Sequence, residues 1–521
     1  MKRRTGLPAL CLALVTTLLT ACSGGGTDDT VRLRVLAAPD LAVLAPLLDD
    51  LRDETGVDLR LEPRADAETA PLDRDAYDLA WLSSDRYLRL TDRTATRGML
   101  RTPTMSSPVV VGMEPEVARK LRAGVPGGRL SWADIADAAA GGTVRFGMAD
   151  PRHAGSGLAA LVGVATAAAG TGAALRPEDV SCDRLRGFRS GQTLTAETGP
   201  ALVEAYADHR DEADALITYE SDLLTLDAGD RPDEGLEIVR PQDGTILADF
   251  PLLLLDPAHR SAYDKVTRWL RRDPVQRRIM EQTLRRPVNP AVARNGRLRE
   301  PVGNALYYPE QPAVLTALLA DYGDPGRRST HQVVFLLDFS GSMRGARMAA
   351  LREAFAGLSG ADPSASGKFT RFYRGERLTV VRFGGRVLED TSVTVAGPED
   401  LATLAEVVAE GGYGDATAVW SALDHGYRTA ARELAADPDR SVSLVLMTDG
   451  ENNAGLTYPE FARRHEALPA AVRTAVHTYP IHFGEADAGE LGRVAARTGG
   501  RMVDAAGSSL SEAFKEIRGC H

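Results

Sequence analysis

Five apolar residues, Val333-Val334-Phe335-Leu336-Leu337, run straight into Asp338-Phe339-Ser340-Gly341-Ser342. An unbroken apolar run with no polar alternation predicts a strand covered on both faces, and such strands belong to parallel sheets. Parallel α/β sheets keep their ligands beyond the carboxyl ends of the strands. The run therefore delivers one carboxylate and two hydroxyls to a ligand-bearing edge. Short oxygen-bearing side chains suit a hard cation such as Mg²⁺ rather than zinc or copper. The competing use of the same residues is a capped turn, with Asp338 as a helix cap.

Two later segments bear on that choice. Gly412-Tyr413-Gly414-Asp415-Ala416-Thr417 is a glycine-bearing loop that runs into an apolar-periodic helix from Trp420 to Ala435. Val442 to Met447 is a second buried strand, ending in Thr448-Asp449-Gly450. Capping accounts for neither Thr417 nor Asp449. Taken together, the three pieces resemble the metal-ion-dependent adhesion site of the von Willebrand factor A family. The resemblance implies a doubly wound, Rossmann-like sheet over residues 331–521. It implies a metal set of Asp338, Ser340, Ser342, Thr417 and Asp449, with the hydroxyls at or next to the ion and the two aspartates acting through water. The ion implied is Mg²⁺, or another hard divalent cation such as Mn²⁺ or Ca²⁺, and the partner implied is a protein that offers a carboxylate to it. Leu378 to Phe383 and Val476 to Phe483 read as further strands, with helical stretches such as Leu401 to Ala409 between them.

Strands and helices also alternate nearer the amino terminus: strand Val31 to Leu36, helix Ala45 to Thr55, strand Val57 to Leu61, and a buried strand within Tyr77 to Leu82. Ser106 to Met113 reads as a crossover strand, Ser131 opens a capped helix, Val144 to Pro151 holds a strand, and a helix follows from Gly157. This order predicts a second α/β unit. With Ala215 to Glu220 and the return segment Phe250 to Leu255, it resembles a type II bacterial solute-binding protein, the two-lobed receptor of ABC importers, over residues 31–300. The resemblance points to Ser83, Ser84, Ser156, Gly157 and Tyr219 as ligand-binding residues. Ser156-Gly157 at a helix start offers a hydroxyl and free N–H groups to a small-molecule or oxyanion solute. A plain N-cap is the alternative. Residues 301–330, rich in proline and glycine at both ends, read as a linker that carries a short helix, Pro312 to Ala320, belonging to either neighbour.

The chain begins with Lys2-Arg3-Arg4, an apolar stretch from Leu7 to Leu19, and Leu19-Thr20-Ala21-Cys22. Residues 1–21 read as a secretory signal. Leu-x-Ala-Cys resembles the bacterial lipobox, which implies acylation of Cys22 with residues 22–30 as a flexible tether. The expected place is the outer face of the cytoplasmic membrane. Cys182 and Cys520 are then left in an oxidising exterior, where a disulfide between them is one outcome and two free thiols the other. A formal net charge of −11 argues against nucleic acid as a partner, as does the lack of a basic stripe interleaved with aromatics. No Gly-x-Ser-x-Gly, His-Glu-x-x-His or Cys-x-x-Cys occurs, and Gly367-Lys368 lacks the rest of a phosphate loop. The expectation is a binder rather than an enzyme: a lipoprotein that holds a protein partner through Mg²⁺, its first domain a sensor or scaffold. The alternative is an ABC-importer receptor with an accessory adhesion domain.

Overall fold

The computed structural model describes residues 30–180, 184–227, 235–324, 331–409, 411–505 and 508–519. The expected signal, the tether with Cys22, and both Cys182 and Cys520 lie outside the described residues.

The first domain has two lobes. In one, strands Val57–Pro63, Val31–Ala37 and Leu79–Trp81 run parallel, and Pro251–Leu254 and Arg101–Pro103 complete the sheet, with Pro251–Leu254 antiparallel to both of its neighbours. Helix Ala45–Thr55 covers this sheet with Leu47 and Leu51. It stops where Gly56 takes a left-handed φ of 69°, a conformation that costs glycine nothing. The other lobe is built around Met105–Met113, which pairs with Ala215–Tyr219, Glu237–Val239, Leu247–Ala248 and Arg286–Pro287. The chain passes between the lobes near residues 103–105, 248–251 and 283–286, so the cleft is walled by both sheets.

Helix Pro312–Gly323, inside the stretch expected as a linker, packs Val314, Leu315, Leu318 and Tyr322 into the core of the first domain. It lies against helix Arg86–Thr91 of one lobe, and its carbonyl at Asp321 accepts Arg189 Nη1 of the other at 2.9 Å.

The second domain carries a six-stranded sheet in the order Val387–Thr394, Arg377–Phe383, His331–Asp338, Ser441–Thr448, Val476–His482, Val503–Asp504. All pairs are parallel except that of the edge strand Val387–Thr394. The unbroken apolar run is explained by burial on both faces. Val333, Phe335 and Leu337 join a core with Leu351, Phe355 and Phe514, while Val334 and Leu336 join another with Trp420, Leu423 and Phe461. The edge strand alternates between half-buried and exposed, as an antiparallel edge with one wet face should.

A short helix, Ala365–Thr370, joins the two domains. Its Phe369 is buried in the first domain's core. Lys368 pairs with Asp134, and Arg371 Nη1 lies 2.6 Å from Asp137 Oδ1, both on the Trp132–Ala140 helix that Ser131 opens with a capping box.

Candidate metal centre

At the carboxyl ends of the two central strands, the Asp338 turn and the Asp449 loop meet. Asp338 is fully buried: Oδ1 accepts the Ser340 N–H at 2.7 Å and Oδ2 accepts the Thr448 hydroxyl at 2.7 Å. Ser340 Oγ lies 2.9 Å from Ser342 Oγ, which donates to Asp449 Oδ1 at 2.8 Å. The other Asp449 oxygen pairs with the Arg347 guanidinium. Thr417 comes in from the glycine loop, which is tied to the Asp338 turn by a bond from Gly414 N–H to the Phe339 carbonyl at 2.9 Å. Its Oγ1 and Ser342 Oγ stand 3.8 and 3.9 Å from the point where a Cβ on Gly450 would lie. The structure thus brings together all five oxygen-bearing residues predicted from sequence, across about 110 positions of chain.

The electrostatics fit a cation. Burial pushes the Asp338 carboxyl above its ordinary range, against the pull of the bonds from Thr448 and Ser340. A buried carboxylate gains most from a nearby positive charge. Every donor is an oxygen, and Ser342 is exposed while Asp338, Ser340, Thr417 and Asp449 are buried. The set is closed below and open on one side, as a hard cation sharing its coordination with an outside oxygen requires. Asp78, Asp256 and His259 also bring ligand atoms within 4.8 Å of one another, in the other domain.

Three supports of this site carry no recognisable sequence signal. Arg347 is the second residue of helix Ala346–Ala356, which follows the Asp338 loop. Asn453 Oδ1 accepts the Thr417 N–H at 2.8 Å, and Asn452 Oδ1 accepts that of Trp420 at 3.3 Å. The Asn pair after Asp449-Gly450-Glu451 therefore pins the threonine loop.

The residues predicted for the first domain meet in the cleft. Glu68 Oε1 accepts both Ser83 N–H and Ser83 Oγ–H, and also Ser84 N–H at 3.0 Å, while Tyr219 donates to Ser83 Oγ at 2.8 Å. Glu68 Oε2 has no partner and presses on Gly155, the first residue of helix Gly155–Ala169, where a Cβ would come within 1.7 Å of it. The position at which Ser156-Gly157 was expected to receive an oxyanion is flanked by the protein's own carboxylate. Gly157 serves packing, since a Cβ there would strike the Ala149 carbonyl at 2.1 Å. Ser156 Oγ is buried without a partner. Around the point where a Cβ on Gly199 would lie stand Asp40 Oδ1, Ser156 Oγ and Asp222 Oδ2, at 2.9, 3.5 and 3.8 Å.

Burial, and then the charge of Asp222, push Asp40 up to about 7; burial likewise raises Glu68 and Asp222. Arg285 is the buried counter-cation, lying over the Phe250 ring at 4.2 Å and donating to the Asp40 carbonyl at 2.6 Å. Phe250 itself holds a strained φ of 42°, its carbonyl accepting Thr104 Oγ–H at 2.6 Å. Asp40, Glu68, Asp222 and Arg285 were not found from sequence, because each stands alone in its segment.

A family model for bacterial extracellular solute-binding proteins matches residues 33–283, and one for the von Willebrand factor type A domain matches residues 332–516. Solved structures similar to the first part include a ferric binding protein from Campylobacter jejuni, 12% identical over 56% of this chain and 99% of that one, with a TM-score of 0.38. A periplasmic thiamin binding protein is 13% identical over 56% and 95%, with a TM-score of 0.42. A von Willebrand factor type A protein from Catenulispora acidiphila is 20% identical over 37% of this chain and 42% of that one, with a TM-score of 0.27. No curated protein matches the chain. Von Willebrand factor type A domains commonly bind a divalent metal, and both families are generally non-enzymatic. Among the described residues no helix is long and apolar enough to cross a membrane.

Proposed function

From a chain that joins an extracellular solute-binding domain to a von Willebrand factor type A domain, we propose a protein held outside the cytoplasmic membrane by a lipid on Cys22, which captures a protein partner through Mg²⁺. Asp338, Ser340, Ser342, Thr417 and Asp449 would hold the ion, and its open side would take the partner's carboxylate. When bound, the ion supplies a positive charge that an outside oxygen can reach. The protein's own residues do the rest: Thr448 and Ser340 hold Asp338, and Asn453 fixes the threonine loop. The observation that carries this reading is the junction of the Asp338 turn and Asp449 through Ser342. Calorimetric titration of Mg²⁺ into the wild type and Asp338→Ala tests it. Equal affinities, or partner capture indifferent to EDTA, would end the proposal.

The first domain acts as sensor or scaffold. The scaffold role is favoured by Glu68, which lies against the helix start expected to meet a solute, and by helix Pro312–Gly323, which touches both lobes. An ABC-importer receptor is the second reading, favoured by the two-lobed closure itself. A rise in the thermal unfolding midpoint with an added solute would support it.

A further inference from the structure

The first domain holds a cavity of about 740 Å³ beside helix Arg86–Thr91. Arginines at 86, 89, 93 and 97 line it: the first two lie on helix Arg86–Thr91, Arg93 opens the short helix Arg93–Thr96, and Arg97 follows it in extended conformation. Tyr308 and Glu310, from the segment that follows the first domain, form the opposite wall. Arg86 lies over the Tyr308 ring at 5.8 Å, and Arg93 Nη2 donates to the Glu310 carbonyl at 3.0 Å. None of the four forms an ion pair with a carboxylate among the described residues, although the neighbouring Arg101 is paired with both Asp85 and Asp249. Like charges gathered around one cavity repel, so this arrangement costs stability unless an outside anion joins it. In a chain of net charge −11 it is a local reversal of sign.

We propose that this cavity binds a phosphorylated small molecule, its phosphate oxygens gripped by the forked guanidinium groups of Arg89, Arg93 and Arg97 with Arg86 and Tyr308 beside them. Guanidinium forks match phosphate oxygens two at a time, and a tyrosine ring gives an attached organic group a flat surface. The same anion chemistry is offered by a lipid headgroup, which vesicle binding separates from a soluble source.

The test is calorimetric titration of inorganic pyrophosphate into the full chain with EDTA present, which keeps the metal centre out of the reading. The exposed pair Arg89→Glu with Arg97→Glu is compared with a control of equal charge change, Arg294→Glu with Arg463→Glu. The expected result is binding that weakens at least tenfold in the cavity variant, barely in the control, and steeply with salt. Sedimentation with phosphatidylglycerol vesicles, against phosphatidylcholine vesicles, separates the sources. A loss confined to vesicle association in the cavity variant would overturn the soluble ligand in favour of a headgroup. Binding absent at millimolar pyrophosphate, or equally weakened in the control, overturns the site.

Discussion

Asp449 and Glu68 are both carboxylates buried near the ends of parallel strands, yet their surroundings treat them differently. Asp449 has one oxygen bonded to Ser342 and the other to Arg347, and its neighbour Ser342 reaches the surface. Glu68 has one oxygen saturated by Ser83 and Ser84 and the other without a partner, deep between two lobes beside Asp40 and Asp222. The first cluster is ordered and open, so charge added from outside can complete it. The second lies in the cleft with Asp40 and Asp222 half-buried, and its excess negative charge is offset by the buried Arg285 and by the raised carboxyls themselves.

Four measurements break or sharpen this contrast, in falling order of effect. Arg285→Met leaves the cleft carboxylates without their buried cation and should destabilise the first domain by about 3–5 kcal/mol in chemical denaturation; a loss below about 1 kcal/mol would show that protons alone neutralise the cluster. At the open cluster, Asp449→Ala should weaken Mg²⁺ binding on the order of a hundredfold, about 2.8 kcal/mol, while circular dichroism stays unchanged. An equal loss of fold would make Asp449 as structural as Glu68.

The third concerns pH. Asp40 is raised to about 7 from an ordinary 3.8, so the fold prefers its protonated form. That contribution is fully present below about pH 4 and is lost as pH rises through about 7. The unfolding midpoint of the first domain should therefore fall between pH 5 and 8, and Asp40→Asn should flatten this slope, with a gain on the order of 1 kcal/mol at pH 8. An unchanged slope in the variant removes Asp40 from the account. Smallest of all, Ser340→Ala removes one hydroxyl from the open cluster and should weaken Mg²⁺ binding severalfold, on the order of 1 kcal/mol. No change would place Ser340 outside the ion's reach.

Legibility followed the same divide. The strands at 331–338 and 441–448 could be read from apolar runs because both of their faces are buried, and the candidate metal residues Asp338, Ser340, Ser342 and Asp449 from their place at or just past the ends of those runs. The helix expected over Ala45 to Thr55 has those bounds in the structure, with Pro46 near its start and Gly56 just beyond its end. Helix Pro312–Gly323 was visible but not its owner, since apolar periodicity names a face and not the surface it meets. Phe369 gave no sign of crossing into the other domain.

What the amino-acid order determined by itself was local: which segments are strands, where each ends, and which oxygen-bearing side chains sit at those ends. Strand periodicity and turn chemistry act over a few residues, so they can be read without a partner. Only the folded chain decided that Asp40, Glu68, Asp222 and Arg285 share one cleft, that Arg347 pairs with Asp449, and that four arginines line one cavity. Those groupings come from lobes and domains closing on one another. The energy of a buried charge depends on what surrounds it in space, which neighbours in sequence do not specify.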